Sequence, residues 1–566
     1  MLNRLTHRLN YLIGPVAVFG FILLMFEHSE FARGHAVLIR ELNLWMLGLF
    51  AVDVLLNWLA NRAKLRYFRT HWFDLIVFVP LIQLLSRTEG GTLSVILRQT
   101  AIFAMLISRT RRVHKFITLF SLKPAQLMLM SFAGVIVVGT ILLLLPAATV
   151  AGETTGLLDA LFTATSATCV TGLIVHDTAT HFTAFGQLII LALIQIGGLG
   201  IMTFSVSLAL LMRRGVSMKD QSIMQDVLDQ DTLLSVRRLV GFIVTMTFVL
   251  ELAGAAILFT VMRPMFDHSW EAGWHALFHS VSAFCNAGFS TFSDSLSGFA
   301  YNVPVNLTIG GLIVLGGIGF VVIGDFHRAL KNWIKNRRGP RHKFRIQSRL
   351  ALGWTGGLIL FGTGLVYWIE HNQLLDGMGY NNALLVSLFQ SVSTRTAGFN
   401  TCNIGILQPA TLFLFIVLMF IGACPGGTGG GIKTTTPAVL WSIIRAGFQR
   451  REEAELYRRT IPVETIQKAV MVLCSSLLLV CGAIGLMAVF EPDKNFMALS
   501  FETVSAFATV GLSTGITSEL SVPGRILITL LMFVGRLGPL TIGFAFMLRQ
   551  KRPAKYSYAE ERIMIG

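Results

Sequence analysis

Thr163–Leu173 reads TATSATCVTGL, and three later stretches share its pattern: SVSAFCNAGF at Ser280–Phe289, SVSTRTAGF at Ser391–Phe399 and TVSAFATVGL at Thr503–Leu512. Each is a short Ser/Thr/Ala-rich run that ends in one glycine followed by Leu or Phe. The glycines, Gly172, Gly288, Gly398 and Gly511, stand 116, 110 and 113 residues apart. Spacing this regular marks one unit carried four times. The period is too long for a solenoid repeat and fits two membrane-spanning helices with a re-entrant segment between them.

Composition agrees. Of 566 residues, 54% are hydrophobic and 13% charged, and mean hydropathy is +0.67. A soluble domain carries about 25% charge. Lys and Arg number 46 against 30 Asp and Glu. Nucleic acid is one reading of such a balance, but the bases lie in short clusters between apolar runs, which suits positive-inside loops. No nucleic-acid partner is expected. Six cysteines without a CxxC pair exclude a disulfide framework or zinc ribbon as the organising principle. The first apolar run, from about Tyr11, lacks a small-residue cleavage site, so no cleavable signal peptide is expected.

From Pro124 the units can be followed one by one. In the first, Leu127–Leu145 reads as a helix, Leu157–Leu173 as the re-entrant piece and Phe185–Met212 as the return helix. The others begin near Leu239, Ala351 and Ala469. Basic clusters separate them: Arg213 to Arg238, Arg328 to Arg349, Arg445 to Lys468, and Arg549 to Lys555 in the tail. Two crossings between clusters place all of them on one face. A loop at membrane depth is tolerated only where protein buries it or where it lines a water-filled cavity. Four such loops about one axis predict a pore.

The glycines carry a specific chemistry. An ion leaving water needs its hydration shell replaced, and a ring of backbone carbonyls can do this. Turning successive carbonyls toward an axis requires backbone angles that glycine tolerates. The candidate filter residues are Val170, Thr171 and Gly172; Asn286, Ala287 and Gly288; Thr396, Ala397 and Gly398; and Thr509, Val510 and Gly511. None carries a formal charge, so the field is dipolar and favours a hard monovalent cation. Each preceding Ser/Thr/Ala run reads as a pore helix with its negative dipole end toward the cavity. Helix packing is the competing explanation for any single glycine; four in matched context favour a filter.

VTGL, NAGF, RTAGF and TVGL, in this order, resemble the four pore loops of the Trk/Ktr/HKT potassium transporter superfamily, with the membrane subunit of bacterial Ktr-type systems the best match. The resemblance runs from about Pro124 to Gly566. It implies potassium uptake, with K⁺ (and Na⁺ left open) as transported or activating ion and no cofactor in this chain. It also implies a homodimer docked on a cytosolic nucleotide-binding ring of RCK type, with the basic loops as landing surface, and a YSYAEERIMIG tail at the dimer interface. The expected location is the inner or plasma membrane, multi-pass and in contact with lipid.

A second stretch supports the match. The apolar run Thr411–Ile444 is interrupted by GACPGGTGGGIKTTT at Gly422–Thr436. Pro425 and the glycines of 426–431 cannot sustain a helix, so the break falls inside the membrane. It resembles the family's intramembrane gate loop, formed here by Gly426, Gly427, Thr428, Gly429, Gly430 and Gly431, with glycine mobility suited to movement and Lys433 to holding the closed position. A cytoplasmic linker is the competing reading. The spacing of a P-loop is absent. Arg536, in GRLGP, resembles the family's arginine that faces the pore near the gate loop; a structural pairing with Glu502 or Glu251 is the alternative. Arg395 reads as a brace, Glu502 and His279 as hydrogen-bonding residues of the pore helices, and the thiols of Cys169 and Cys285 as incidental.

Four apolar runs within residues 1–120 predict an N-terminal four-helix segment. Phe50, Asp53, Trp72, Phe73 and Asp74 resemble the second and third helices of a voltage-sensor-type domain. The arginines of a working sensor are missing, since Arg98 stands alone and only Arg109 and Arg112 keep a three-residue step. A structural or assembly role is the reading adopted.

The expected fold is therefore an all-α membrane protein: four helix–pore-loop–helix repeats in pseudo-four-fold arrangement (121–238, 239–350, 351–468 with the gate loop, 469–566) behind a voltage-sensor-like segment (1–120). No enzymatic constellation occurs. The alternatives are a voltage-gated monovalent cation channel and a broken-helix secondary transporter of another small solute; four parallel copies disfavour the latter.

Overall fold

The computed structural model describes residues 124–211, 233–335 and 344–546, together with helical positions 45, 48 and 52. The voltage-sensor-like assignments, Arg98, Arg109, Arg112 and the tail beyond 546 lie outside the described residues. The described residues are mostly helical, with one short β-hairpin. Compactness divides it into two units. One takes in 136–164 and 176–192, and the other 124–135, 165–175 and 193–546.

Elements succeed one another in a recurring order. A helix, α1 (Pro124–Leu143), is followed by a short one, α2 (Leu157–Thr168), and by α3 (Ala184–Leu211). The succession returns with α4 (Leu233–Met262), α5 (Ser269–Phe284), α6 (Val303–Ile318) and α7 (Phe320–Lys335). It returns again with α8 (Ile346–Glu370), α9 (Tyr380–Ser393), α10 (Pro409–Phe420) and α11 (Thr435–Phe448). A hairpin of β1 (Glu455–Leu456) and β2 (Arg459–Thr460) leads to α12 (Val463–Phe490), α13 (Phe496–Ala508), α14 (Val522–Leu537) and α15 (Pro539–Phe546).

Three described segments are long and apolar enough to cross a membrane: Val240–Met265, Ile346–Glu370 and Val463–Phe490. A fourth candidate is α6 with the first part of α7, which together are bent by 101°.

Local chemistry explains the helix ends. Pro304, Pro409 and Pro523 occupy the first turns of α6, α10 and α14, where a missing N–H costs nothing. Asn302, Asn495 and Ser521 cap α6, α13 and α14 through side-chain oxygens. Two glutamates tie a long helix to its return helix. Glu370 at the end of α8 accepts from Gln408 N at 3.0 Å and from the Thr411 hydroxyl at the start of α10. Glu491 after α12 accepts from Ser521 N at 2.7 Å at the start of α14. A carboxylate at a helix N-terminus is favourable through both hydrogen bonds and dipole.

One expectation is corrected here. The sequence reading interrupts only the third return helix, and the structure breaks all four. Gly200 interrupts α3 at φ 73°, Gly319 separates α6 from α7 at φ 99°, and Gly538 separates α14 from α15 at φ 82°. In the third, α10 stops at Phe420 and α11 resumes at Thr435. Positive φ is open to glycine and expensive for other residues. At Gly319 space enforces the same choice, since a Cβ there would meet Pro425 O at 2.6 Å.

Candidate ion pathway

In the second unit, four short helices finish with one kind of ending. The residue two before each glycine is left-handed: Val170 at φ 57°, Asn286 at 60°, Thr396 at 68° and Thr509 at 51°. The glycines are left-handed too, with φ of 95°, 72°, 77° and 90° for Gly172, Gly288, Gly398 and Gly511. In three segments the geometry is that of a helix terminated by a Schellman motif. Val170 N bonds Ala167 O while Thr171 N bonds Ser166 O at 2.8 Å; Ala287 N reaches Ser282 O at 2.7 Å and Val510 N reaches Ser505 O at 2.9 Å. The third segment is one residue shorter, and Ala397 N bonds Ser393 O at 3.0 Å. Such a terminus usually carries glycine. Here three of the four positions hold β-branched residues, for which this conformation is an outlier.

The serines that begin these turns also hold the residues at their far end. Gly172 N donates to Ser166 Oγ and Gly511 N to Ser505 Oγ, both at 3.1 Å. Ser282 Oγ donates to Phe289 O at 2.7 Å, and Ser393 Oγ to Phe399 O. These four serines, absent from the candidate site residues, have a signal in the sequence: a serine stands five or six residues ahead of each glycine.

The four glycines meet. A Cβ on Gly172 would lie 2.4 Å from Ala287 O, one on Gly288 2.7 Å from Ala397 O, one on Gly398 2.5 Å from Val510 O, and one on Gly511 2.0 Å from Thr171 O. Each glycine thus faces the carbonyl that precedes the next glycine in chain order, and the fourth closes on the first. The result is a ring of backbone carbonyls from Thr171, Ala287, Ala397 and Val510, able to replace the hydration shell of a bare cation.

Against this ring lies the segment Ile421–Thr434. Its stem is zipped by Gly422 N to Ile432 O (2.9 Å), Ala423 N to Gly430 O (3.3 Å) and Thr434 N to Ala423 O (3.2 Å). It docks on the break between α6 and α7 through Cys424 N to Gly317 O (3.0 Å), Thr428 N to Gly316 O (3.1 Å) and Phe320 N to Gly426 O (3.1 Å). Lys433 Nζ donates to Gly429 O at 2.6 Å. Arg536 donates from Nη1 to Thr428 O and from Nη2 to Gly197 O, joining the loop to α3. Neither carboxylate expected as its alternative partner pairs with it. Glu251 accepts from Gln195 Nε2 at 3.3 Å, and Glu502 from Thr514 N at 3.1 Å, Thr517 Oγ1 at 3.1 Å and the Ser513 hydroxyl.

The remaining candidates have plain roles. Arg395 Nη1 donates to Ile421 O at 2.8 Å, bracing the loop stem. His279 Nε2 bonds Ser290 Oγ at 3.0 Å, two residues past its glycine, as Glu502 does with Ser513. Close packing explains another group of glycines: a Cβ at Gly197, Gly316 or Gly535 would fall within 2.0 Å of Thr168 O, Phe284 O or Phe507 O.

A family model described as "TrkH: Cation transport protein" matches residues 99–556. The chain belongs to the TrkH family. The chain is similar to Ktr system potassium uptake protein B of Vibrio alginolyticus, 39% identical over 444 residues, which covers 78% of this chain and 94% of the relative. The protein of the same name from Bacillus subtilis is 38% identical over 456 residues, covering 80% and 99%. Potassium/sodium uptake protein NtpJ of Enterococcus hirae is 36% identical over 454 residues, covering 79% and 98%. The solved structure of the potassium transporter TrkH from Vibrio parahaemolyticus shares the fold, with a TM-score of 0.59, 15% identity, and coverage of 90% and 97%. Residues 1–98 of this TrkH-family chain fall outside the family match.

Proposed function

We propose that this chain takes up potassium across the cell membrane through the ring formed around Gly172, Gly288, Gly398 and Gly511. Four helix–pore-loop–helix repeats in pseudo-four-fold order, divided near residues 238, 350 and 468, are the architecture behind it. The observation that carries the reading is the cyclic closure of the four glycines on the four carbonyls. The segment 426–431 is the gate. It lies against the ring, and Lys433 and Arg536 hold it through carbonyl oxygens alone. A cationic guanidinium beside the path adds an electrostatic barrier to a passing cation.

The relatives named as Ktr component B support a membrane subunit that works with a partner: a homodimer on a cytosolic nucleotide-binding ring of RCK type. The relative named for both potassium and sodium supports including Na⁺ among the ions handled. The protein sits in the plasma membrane with multiple crossings, and residues 1–120 serve a structural or assembly role.

Rubidium and sodium flux into liposomes tests the reading. A Cβ at Gly288 meets Ala397 O and one at Gly398 meets Val510 O. Gly288→Ser and Gly398→Ser should therefore each lower rubidium flux and weaken its preference over sodium. Unaltered flux and preference in both would overturn the filter assignment.

A further inference from the structure

The gate segment touches the filter at specific places. Thr428 Oγ1 lies 3.0 Å from Asn286 Oδ1 and 3.2 Å from Phe284 O. The next residue, Gly429, lies so close to the third segment that a Cβ would meet Thr396 Oγ1 at 1.9 Å. Gly430 does the same to the fourth, where a Cβ would meet Thr509 Oγ1 at 2.2 Å. Three successive loop residues therefore abut Asn286, Thr396 and Thr509, each the strained left-handed residue two before a filter glycine. These glycines are required for close approach, a different reason from the mobility expected of them.

The contacts also close on themselves. Asn286 Nδ2 donates to Arg395 O at 3.3 Å and approaches Thr396 Oγ1 at 3.5 Å. Arg395 in turn donates to Ile421 O at the loop stem. A path of hydrogen bonds thus runs from the loop tip through the second and third filter segments and back to the base of the loop. Val170, the fourth strained residue, faces Gly197 instead, whose Cβ would lie 2.9 Å from Val170 Cγ2.

We propose that this loop is a clamp on the filter as well as a gate: seated, it holds Asn286, Thr396 and Thr509 in the geometry that gives the carbonyl ring its preference among monovalent cations. The proposal rests on the gate reading and goes beyond it. Backbone strain persists only where surroundings over-determine it, and the loop is one wall of three of the four strained residues. Opening that frees the loop from Arg536 while residues 428–430 stay against the filter keeps the preference; lifting those residues off lets Asn286, Thr396 and Thr509 relax, and the adjoining carbonyls turn with them. Ion preference then depends on loop position, and Thr428 is a positioning residue for selectivity.

The test is rubidium and sodium flux through the full-length protein in liposomes, comparing wild type, Thr428→Val and Thr428→Ser. Valine keeps the shape of threonine and removes the hydroxyl, whereas serine keeps the hydroxyl. The expected result is a rubidium-over-sodium preference lowered about five-fold in Thr428→Val, the scale of one lost hydrogen bond, and retained in Thr428→Ser. If both fluxes rise together in Thr428→Val with the ratio unchanged, the clamp is overturned and the gate survives. If neither flux nor ratio moves, the clamp is overturned. Should Thr428→Val fail to reconstitute, Gly429→Ala, which presses on Thr396, is read in the same way: a lowered ratio supports the clamp and an unchanged ratio overturns it.

Discussion

Val170, Thr396 and Thr509 are β-branched residues in the left-handed region, which costs an L-residue roughly 1–2 kcal/mol. The alternation of left-handed residue, intervening residue and left-handed glycine turns the chain sharply at the end of each short helix. The serines offset the strain. Ser166 and Ser505 each accept from a buried glycine N–H, and removing such a partner costs about 1–3 kcal/mol. Ser166→Ala and Ser505→Ala should therefore lower the melting temperature and reduce rubidium-over-sodium preference. Thermal unfolding in detergent and liposome flux read the two effects, and unchanged values would show that the serines brace nothing. At this scale the sequence exposed the glycines, because they recur in matched context. It could not expose the strain two residues earlier: three of the four residues there, Val170, Thr396 and Thr509, are β-branched, and β-branched residues give no hint of positive φ.

The helices explain how the bends are held in place. Glu370 is fully buried and anchors α8 to the start of α10 through Gln408 N and the Thr411 hydroxyl. Glu370→Ala should destabilise the protein by about 1–3 kcal/mol for each donor left unpaired, lowering the melting temperature while the ratio of rubidium to sodium flux is kept. A changed ratio would place Glu370 in the filter machinery. The broken return helices predict a different phenotype. Gly319→Ala meets both positive φ and the Pro425 carbonyl, so the docked loop should loosen and basal rubidium flux should rise; unchanged or lower flux would contradict the docking role. The third break was legible because Pro425 and a run of glycines interrupt an apolar stretch. The others were not, since GGLG at 197–200, GGIG at 316–319 and GRLG at 535–538 look like ordinary packing glycines of membrane helices.

For the molecule as a whole, the parts of the chain that match the family include every residue of the ring and loop, whereas residues 1–98 lie outside that match. Family membership was readable from the four glycine motifs because they sit in order and in register. The docking of the loop was not, because its partners, Phe284, Asn286, Gly316, Gly317, Phe320 and Arg536, lie far from it in sequence and act mostly through backbone atoms. Four bends separated by more than a hundred residues each come together at one ring of glycines and carbonyls. The claim that matters most is that a cation sits within that ring. An anomalous difference map of the protein prepared in rubidium tests it most directly. A peak enclosed by the carbonyl oxygens of Thr171, Ala287, Ala397 and Val510 is the predicted result. Rubidium bound elsewhere with that ring empty, or a map in which the four glycines stand apart, would contradict the account.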